Sequence, residues 1–136
     1  QSIVHTALPT LIENLTNSVS SRSSIQITTE LEAVGELPEE VHLAFYRIIQ
    51  EALNNIIKHA AADHVMIALK QERTQAHLLI EDNGSGFDKD VVAIGHHGLE
   101  IMQERAAKIE AKLSITSKIG HGTQLHLEWG LKESLL

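Results

Sequence analysis

The chain has 136 residues, and 11 Lys+Arg against 18 Asp+Glu give a formal charge of -7; this size suits one domain with its own core, and the sign disfavours nonspecific attraction to nucleic acid or anionic membrane. It contains no cysteine, which excludes disulfides, thiolate metal sites and a cysteine nucleophile and suits a reducing compartment. Hydrophobic residues make up 43% but aromatics only 3%, so the core must be built from Leu, Ile, Val and Ala. No apolar run approaches the ~20 residues of a membrane span, and the start QSIVHTALPT lacks the basic and apolar blocks of a signal peptide. With amphipathic sequence already under way at Ile3, the chain reads as an excised part of a longer protein.

Leu8, Leu11, Ile12, Leu15 and Val19 recur at helical spacing until the polar run Ser18 to Ser24, which predicts a first helix from Ile3 to Ser20. Ile25, Ile27, Thr29 and Leu31 alternate with polar residues as in a half-buried strand, and Gly35 ends the run. Leu37-Pro38-Glu39-Glu40 then opens a helix, its acidic residues suiting the free N–H groups of the first turn. Val41, Phe45, Ile48, Ile49, Leu53, Ile56 and Ile57 carry it to about His59. Val65 to Leu69 and Ala76 to Ile80 form a hairpin. Asn83 to His97 holds three glycines and few core residues, so a long loop is expected. A helix from Gly98 to Glu110 and two strands joined through Gly120-His121-Gly122 complete the order α β α β β α β β. That order lacks regular βαβ alternation and points to an α+β fold, a two-layer sandwich of a mixed sheet with helices on one face. No internal repeat or linker divides the chain.

The chemistry-bearing residues fall in four places. On the long helix, Glu51, Asn55 and Lys58 or His59 follow at i, i+4 and i+7 or i+8 and so form one stripe. A carboxylate, a carboxamide and an ammonium together suit a metal-bound triphosphate; a solvated helix face with i,i+4 pairs is the alternative. Asp82-Asn83-Gly84-Ser85-Gly86-Phe87 follows a strand. Its glycines let backbone N–H groups approach a ligand, and a strand-end carboxylate can accept a hydrogen bond from an exocyclic amine; a plain turn is the alternative. The segment is neither a Walker loop nor a Rossmann fingerprint. Gly95-His96-His97-Gly98 precedes a helix, where free N–H groups favour phosphate, or simply forms a flexible loop and cap. Gly120-His121-Gly122-Thr123 alone reads as a hairpin turn. The nine histidines show no compact ligand spacing and read as scattered surface residues.

Taken in order, these segments resemble the four boxes of the ATPase domain shared by histidine kinases, DNA gyrase, the mismatch-repair MutL proteins and a heat-shock chaperone. Arg47-Ile48-Ile49-Gln50-Glu51-Ala52-Leu53-Asn54-Asn55-Ile56-Ile57-Lys58-His59-Ala60 is similar to the N box of nitrate-sensor-like histidine kinases. Asp82 to Phe87 resembles the first glycine box, Gly98 to Ala106 the second and Gly120 to Thr123 the last, so that the likeness runs from about Leu37 to Trp129.

The resemblance implies a Bergerat ATP-binding fold over residues 1–136, its motifs within 37–130. It also implies ATP with Mg²⁺, Asn55 as metal ligand, Glu51 as the catalytic or polar group near the γ-phosphate, and Lys58 and His59 near phosphate. Asp82 would accept the adenine amino proton, Gly84 and Gly86 would shape the pocket, Thr123 would lie near the base, and Gly98 and Leu99 would close the loop over the phosphates. The implied partners are a histidine-bearing dimerisation domain of the same protein and a response regulator with helix-turn-helix output, with no direct nucleic acid or membrane contact and a cytoplasmic location.

Two departures stand out. Where relatives often carry glycine two residues before Gly98, this chain has His96, and nothing matches the R-E-L-H-D phosphoacceptor sequence; His5 lacks that context. An anti-sigma-factor-type Ser/Thr kinase and a nucleotide-gated interaction module that transfers nothing are the competing readings.

Overall fold

The computed structural model describes residues 3–87 and 97–130. The chain begins with a short 3-10 turn, Ile3–His5, and helix α1, Leu8–Arg22, in place of the one helix expected from Ile3. Pro9 is the reason: it has no N–H to give an earlier carbonyl, and its ring would collide with the carbonyl one turn back, so it is accommodated only in a helix's first turn. Leu8, Leu11, Ile12 and Val19 form the buried stripe of α1.

Strand β1, Gln26–Ala33, leads to α2, Glu39–Asn55. Glu39 and Glu40 lie in the first turn of α2, where carboxylates suit the positive end of the helix dipole. The apolar face of this helix is the centre of the core, with Phe45, Ile48 and Ile49 fully buried. Replacing a phenylalanine in such a place by alanine costs about 3–5 kcal/mol.

The expected continuation to His59 exists with a change of geometry. Ile56–Ala60 is a π turn, closed by Ala61 in the left-handed region (φ 51).

Strands β2, His64–Gln71, β3, Gln75–Asp82, β4, Lys112–Lys118, and β5, Gly122–Gly130, join β1 in a five-stranded sheet of order β1-β2-β3-β5-β4. β1 and β2 run parallel, with α2 as their crossover, and the other pairs are antiparallel. The register places apolar residues opposite one another: Ile67 with Ile80, Leu78 with Leu127, Ile80 with Leu125, Leu125 with Ile115. These residues are all buried, whereas His77, His126 and Glu128 on the alternate positions are exposed. One sheet face therefore meets the helices and the other meets solvent, the period-2 signature of a two-layer sandwich.

Helix α3, His97–Lys108, packs against α2 and β4. It ends with Glu110 at φ 56 and the Ala111 N–H bonded to the Ala106 carbonyl, a left-handed cap that satisfies the last carbonyls. The expected loop from Asn83 to His97, with its His96 departure, falls largely on 88–96, outside the described residues. Among the described residues no helix is long and apolar enough to cross a membrane.

Candidate functional site

The buried faces of β3, β5 and β4 each end in a polar residue. Ala76, Leu78 and Ile80 are followed at the same parity by Asp82; Trp129, Leu127 and Leu125 by Thr123; Ile115 by Ser117. Asp82 pairs with Thr123, and Thr123 with Ser117. The result is a polar row across three strands at the rim of the core. A cavity of about 260 Å³ opens above it, lined by Ala52, Asn55, Ile56 and His59 from α2 and the π turn and by Leu99 and Met102 from α3. Its floor and end are Ile80, Asp82, Gly86, Phe87, Ile115, Thr123 and Leu125. This mostly apolar lining with a few converging polar groups is the usual make-up of a small-molecule site.

Asp82 is the ionisable group on the floor. Its Oδ1 accepts the Gly84 N–H at 2.8 Å, and the carboxylate also accepts the backbone N–H of Thr123. Burial pushes its carboxyl above the usual range, and the two N–H donors pull part of the way back. A half-buried carboxylate with its outward lone pairs facing an apolar cavity is a hydrogen-bond acceptor waiting for a donor.

Asn83, which the turn reading left without a task, holds Asp82 in place. Its Oδ1 accepts the N–H groups of Asp63 at 3.1 Å and His64 at 3.0 Å, and its Nδ2 donates to Asp63 Oδ1 at 2.6 Å. Its own N–H meets the His64 carbonyl at 3.2 Å. The start of β2 and the end of β3 are thereby clamped together. A lone asparagine in a turn dipeptide gives no hint of this in sequence.

The glycine segment after Asp82 docks on the β4–β5 turn. Gly86 adopts φ 66 and Gly122 φ 79, and a Cβ on either would collide with backbone, of Lys118 and of Asp82 respectively. The Gly120 N–H reaches the Ser85 carbonyl at 2.6 Å, and the Phe87 N–H reaches Ser117 Oγ at 2.9 Å. Two motifs far apart in sequence thus interlock through backbone that only glycine permits.

Opposite, Glu51 and Asn55 stand together beneath the first turn of α3. A Cβ on Gly98 would lie 2.8 Å from Glu51 Oε2 and 2.9 and 3.0 Å from the Asn55 amide, so the glycine lets the backbone close over both side chains. Of the alternatives at the end of the stripe, His59 lines the cavity and exposed Lys58 does not. The π turn explains the choice, because its wider hydrogen-bonded repeat advances the facing position by one residue. Gly84 is buried behind Asp82. The structure thus gathers Asn55, His59, Asp82, Gly86, Leu99 and Thr123 around one cavity, sets Glu51, Gly84 and Gly98 against it, and leaves Lys58 outside its lining. Sequence reasoning missed Asn83 and Ser117; for Ser117 a signal existed, a hydroxyl at the apolar parity of β4.

Residues 40–133 match the family described as histidine kinase-, DNA gyrase B-, and HSP90-like ATPase. The histidine-protein kinase/phosphatase DegS of Brevibacillus brevis is 40% identical over 88 residues, which are 65% of this chain and 23% of that protein. The nitrate/nitrite sensor protein NarX of Escherichia coli K12 is 28% identical over 89 residues, 65% of this chain and 15% of NarX. This chain therefore spans about a quarter or less of these curated relatives. The fold matches a solved blue-light activated histidine kinase of Erythrobacter litoralis with TM-score 0.69 at 21% identity, covering 88% of this chain and 40% of that one. Since the family match takes in the greater part of the chain, and the boxes it rests on converge on one cavity, this chain belongs to the histidine kinase-, DNA gyrase B-, and HSP90-like ATPases.

Proposed function

We propose that this domain binds Mg·ATP between α2 and the Asp82 segment and donates the γ-phosphoryl group to a histidine on a separate dimerisation domain of the same cytoplasmic kinase region. From there the group passes to an aspartate of a response regulator with helix-turn-helix output. The observation that carries the reading is the Asp82 carboxylate, desolvated at the floor of an apolar cavity with Asn55 on the opposite wall. Histidine kinases among the relatives support it.

The base would lie over Ile80, Ile115 and Leu125 and give its amino proton to Asp82, while the phosphates extend toward Asn55 and the first turn of α3. Asn55 offers a neutral oxygen of the kind Mg²⁺ accepts alongside phosphate oxygens and water. The ion's chemistry is to shield the charge on the phosphates. In the transfer, an imidazole nitrogen forms the new P–N bond as the β,γ-bridging P–O bond breaks and ADP leaves. Glu51, whose carboxylate lies with the Asn55 amide against Gly98, would take the imidazole proton. Most of the rate enhancement would come from alignment and charge stabilisation, because this chemistry needs little covalent help from the protein. Lys58, exposed at the edge, would complete the phosphate end.

Incubation with γ-labelled ATP and a separately prepared dimerisation domain carrying the histidine tests the reading. Acid-labile, alkali-stable label on that histidine is expected. Acid-stable label on a partner hydroxyl would favour the Ser/Thr kinase alternative, and binding without transfer would favour an interaction module.

A further inference from the structure

Arg47 shares a stripe of α2 with Glu51 and Asn55, the three following at i, i+4 and i+8. A helix rises about 1.5 Å per residue, which puts Arg47 about 6 Å before Glu51 and about 12 Å before Asn55 along the axis. Asn55 lines the cavity and Arg47 does not. The guanidinium is braced from two sides by uncharged groups. It lies 5.4 Å from the centroid of the Tyr46 ring, and its Nη1 donates to Gln50 Oε1 at 3.0 Å. Acidic residues outnumber Lys+Arg by 18 to 11, yet among the described residues no carboxylate pairs with Arg47; the one ion pair joins His77 and Glu128. A half-buried arginine whose fork is held in place and whose charge is unmatched is preorganised for an anion that arrives from outside.

We propose that Arg47 is a docking residue for the histidine-bearing partner, pairing with an acidic side chain on the surface that presents the imidazole. The proposal rests on the reading of Glu51 as the group that takes the imidazole proton. On that reading the phosphates end near Asn55 and the imidazole comes down beside Glu51. The partner's surface then covers the stretch of α2 that continues to Arg47, one turn further from the cavity, so the anion that meets the guanidinium is the partner's and not the nucleotide's. A carboxylate suits the planar fork best, because two parallel N–H···O bonds fix direction as well as distance. In a chain of net charge -7, a positive anchor beside the site also orients an acidic partner that the rest of the surface field disfavours. Tyr46 and Gln50 meanwhile hold the guanidinium away from a salt bridge with Glu51.

Transfer of label from saturating γ-labelled Mg·ATP to the separately prepared dimerisation domain, at varied concentrations of that domain, reads KM for the partner apart from kcat. Calorimetry reads Mg·ATP affinity. Arg47→Gln is expected to raise KM about ten-fold or more, the worth of a charge-assisted pair, with kcat and Mg·ATP affinity unchanged. Arg47→Lys, which keeps the charge and loses the fork, is expected to fall between wild type and Arg47→Gln. Should Arg47→Gln not fold, the rise in Arg47→Lys carries the test. Added salt is expected to raise KM more steeply in wild type than in Arg47→Gln. An unchanged KM, or a fall in kcat alone, would overturn the proposal. Loss of Mg·ATP affinity would overturn it too, by assigning Arg47 to the nucleotide. A raised KM with the wild-type salt dependence and no rescue by lysine is the mark of a merely structural role and would do the same. Wild type is the separate control. If it puts no label on the histidine, the proposed function falls and this proposal with it; label with a KM indifferent to Arg47 overturns this proposal alone.

Discussion

Glycine 98 and glycine 86 sit at the same site yet their alanine variants are expected to fail in different ways. At Gly98 the added Cβ meets the Glu51 carboxylate and the Asn55 amide, which are ends of side chains and can swing aside. Gly98→Ala should keep nearly wild-type stability while weakening Mg·ATP binding, since the displaced groups are the ones proposed to meet phosphate and metal. At Gly86 the Cβ meets the Lys118 carbonyl from a backbone at φ 66, and neither can yield cheaply. Gly86→Ala should lower stability by about 2 kcal/mol or more, read in urea denaturation. Equal stability of the two variants would contradict this division.

Asp82 carries a pH dependence whose sign follows from its burial. Its native pKa is raised above the ordinary 3.8, so its contribution to the stability of the empty domain is full below that value and is lost as pH rises through the raised value. At neutral pH the ionised carboxylate is a standing cost that a donor from the ligand offsets. Acidification from neutral pH through the raised pKa should therefore weaken ATP binding more in wild type than in Asp82→Asn, because only wild type loses an ionised acceptor. Parallel loss in both proteins, followed by calorimetry, would rule this role out.

Asp82, Asn55 and Thr123 were legible in sequence because each sits inside a short motif whose spacing survives folding. The partners of Asn83 and Ser117 lie far off in sequence, so Asn83 left no local trace and Ser117 only its hydroxyl at an apolar strand position.

Among the elements, those with a strong local period were readable and those decided by distant contacts were not. The alternation in β2, β3 and β5 and the apolar face of α2 are written locally. The parallel pairing of β1 with β2 and the insertion of β5 between β3 and β4 depend on burying one face of the whole sheet. The π turn after Asn55 was unreadable too, and it is what brings His59 rather than Lys58 to the cavity. Pro9, by contrast, was a legible stop that a longer helix overlooked.

The cap of α3 offers a test at this scale. Glu110 is exposed and holds φ 56 at a position that favours glycine. Glu110→Gly should raise stability by about 0.5–1 kcal/mol, the relief of left-handed strain less the added freedom of the unfolded chain. A lower urea midpoint for this variant would show that the cap is held by the glutamate side chain instead.

For the whole molecule, the arrangement explains how a chain of net charge -7 can be suited to a polyanion. The cavity is placed at the rim of the sheet, where the buried faces of three strands run out into polar residues and two helices close the other side. On the proposed reading, recognition there would rely on backbone N–H groups, a carboxylate and a carboxamide, with a metal ion taking up the phosphate charge, so the bulk field would matter little. One continuous core stabilises both walls, and α2 serves as the centre of that core on one face and as the carrier of Glu51 and Asn55 on another.

The central claim, that Asn55 and Asp82 are opposite walls of one Mg·ATP site, is tested most directly by calorimetry of Mg·ATP on the wild-type chain and on Asn55→Ala and Asp82→Ala. The account predicts saturable one-site binding to wild type and at least about a ten-fold loss in each variant, equivalent to roughly 1.4 kcal/mol, with both variants still folded by circular dichroism. Wild-type affinity in both folded variants would contradict it.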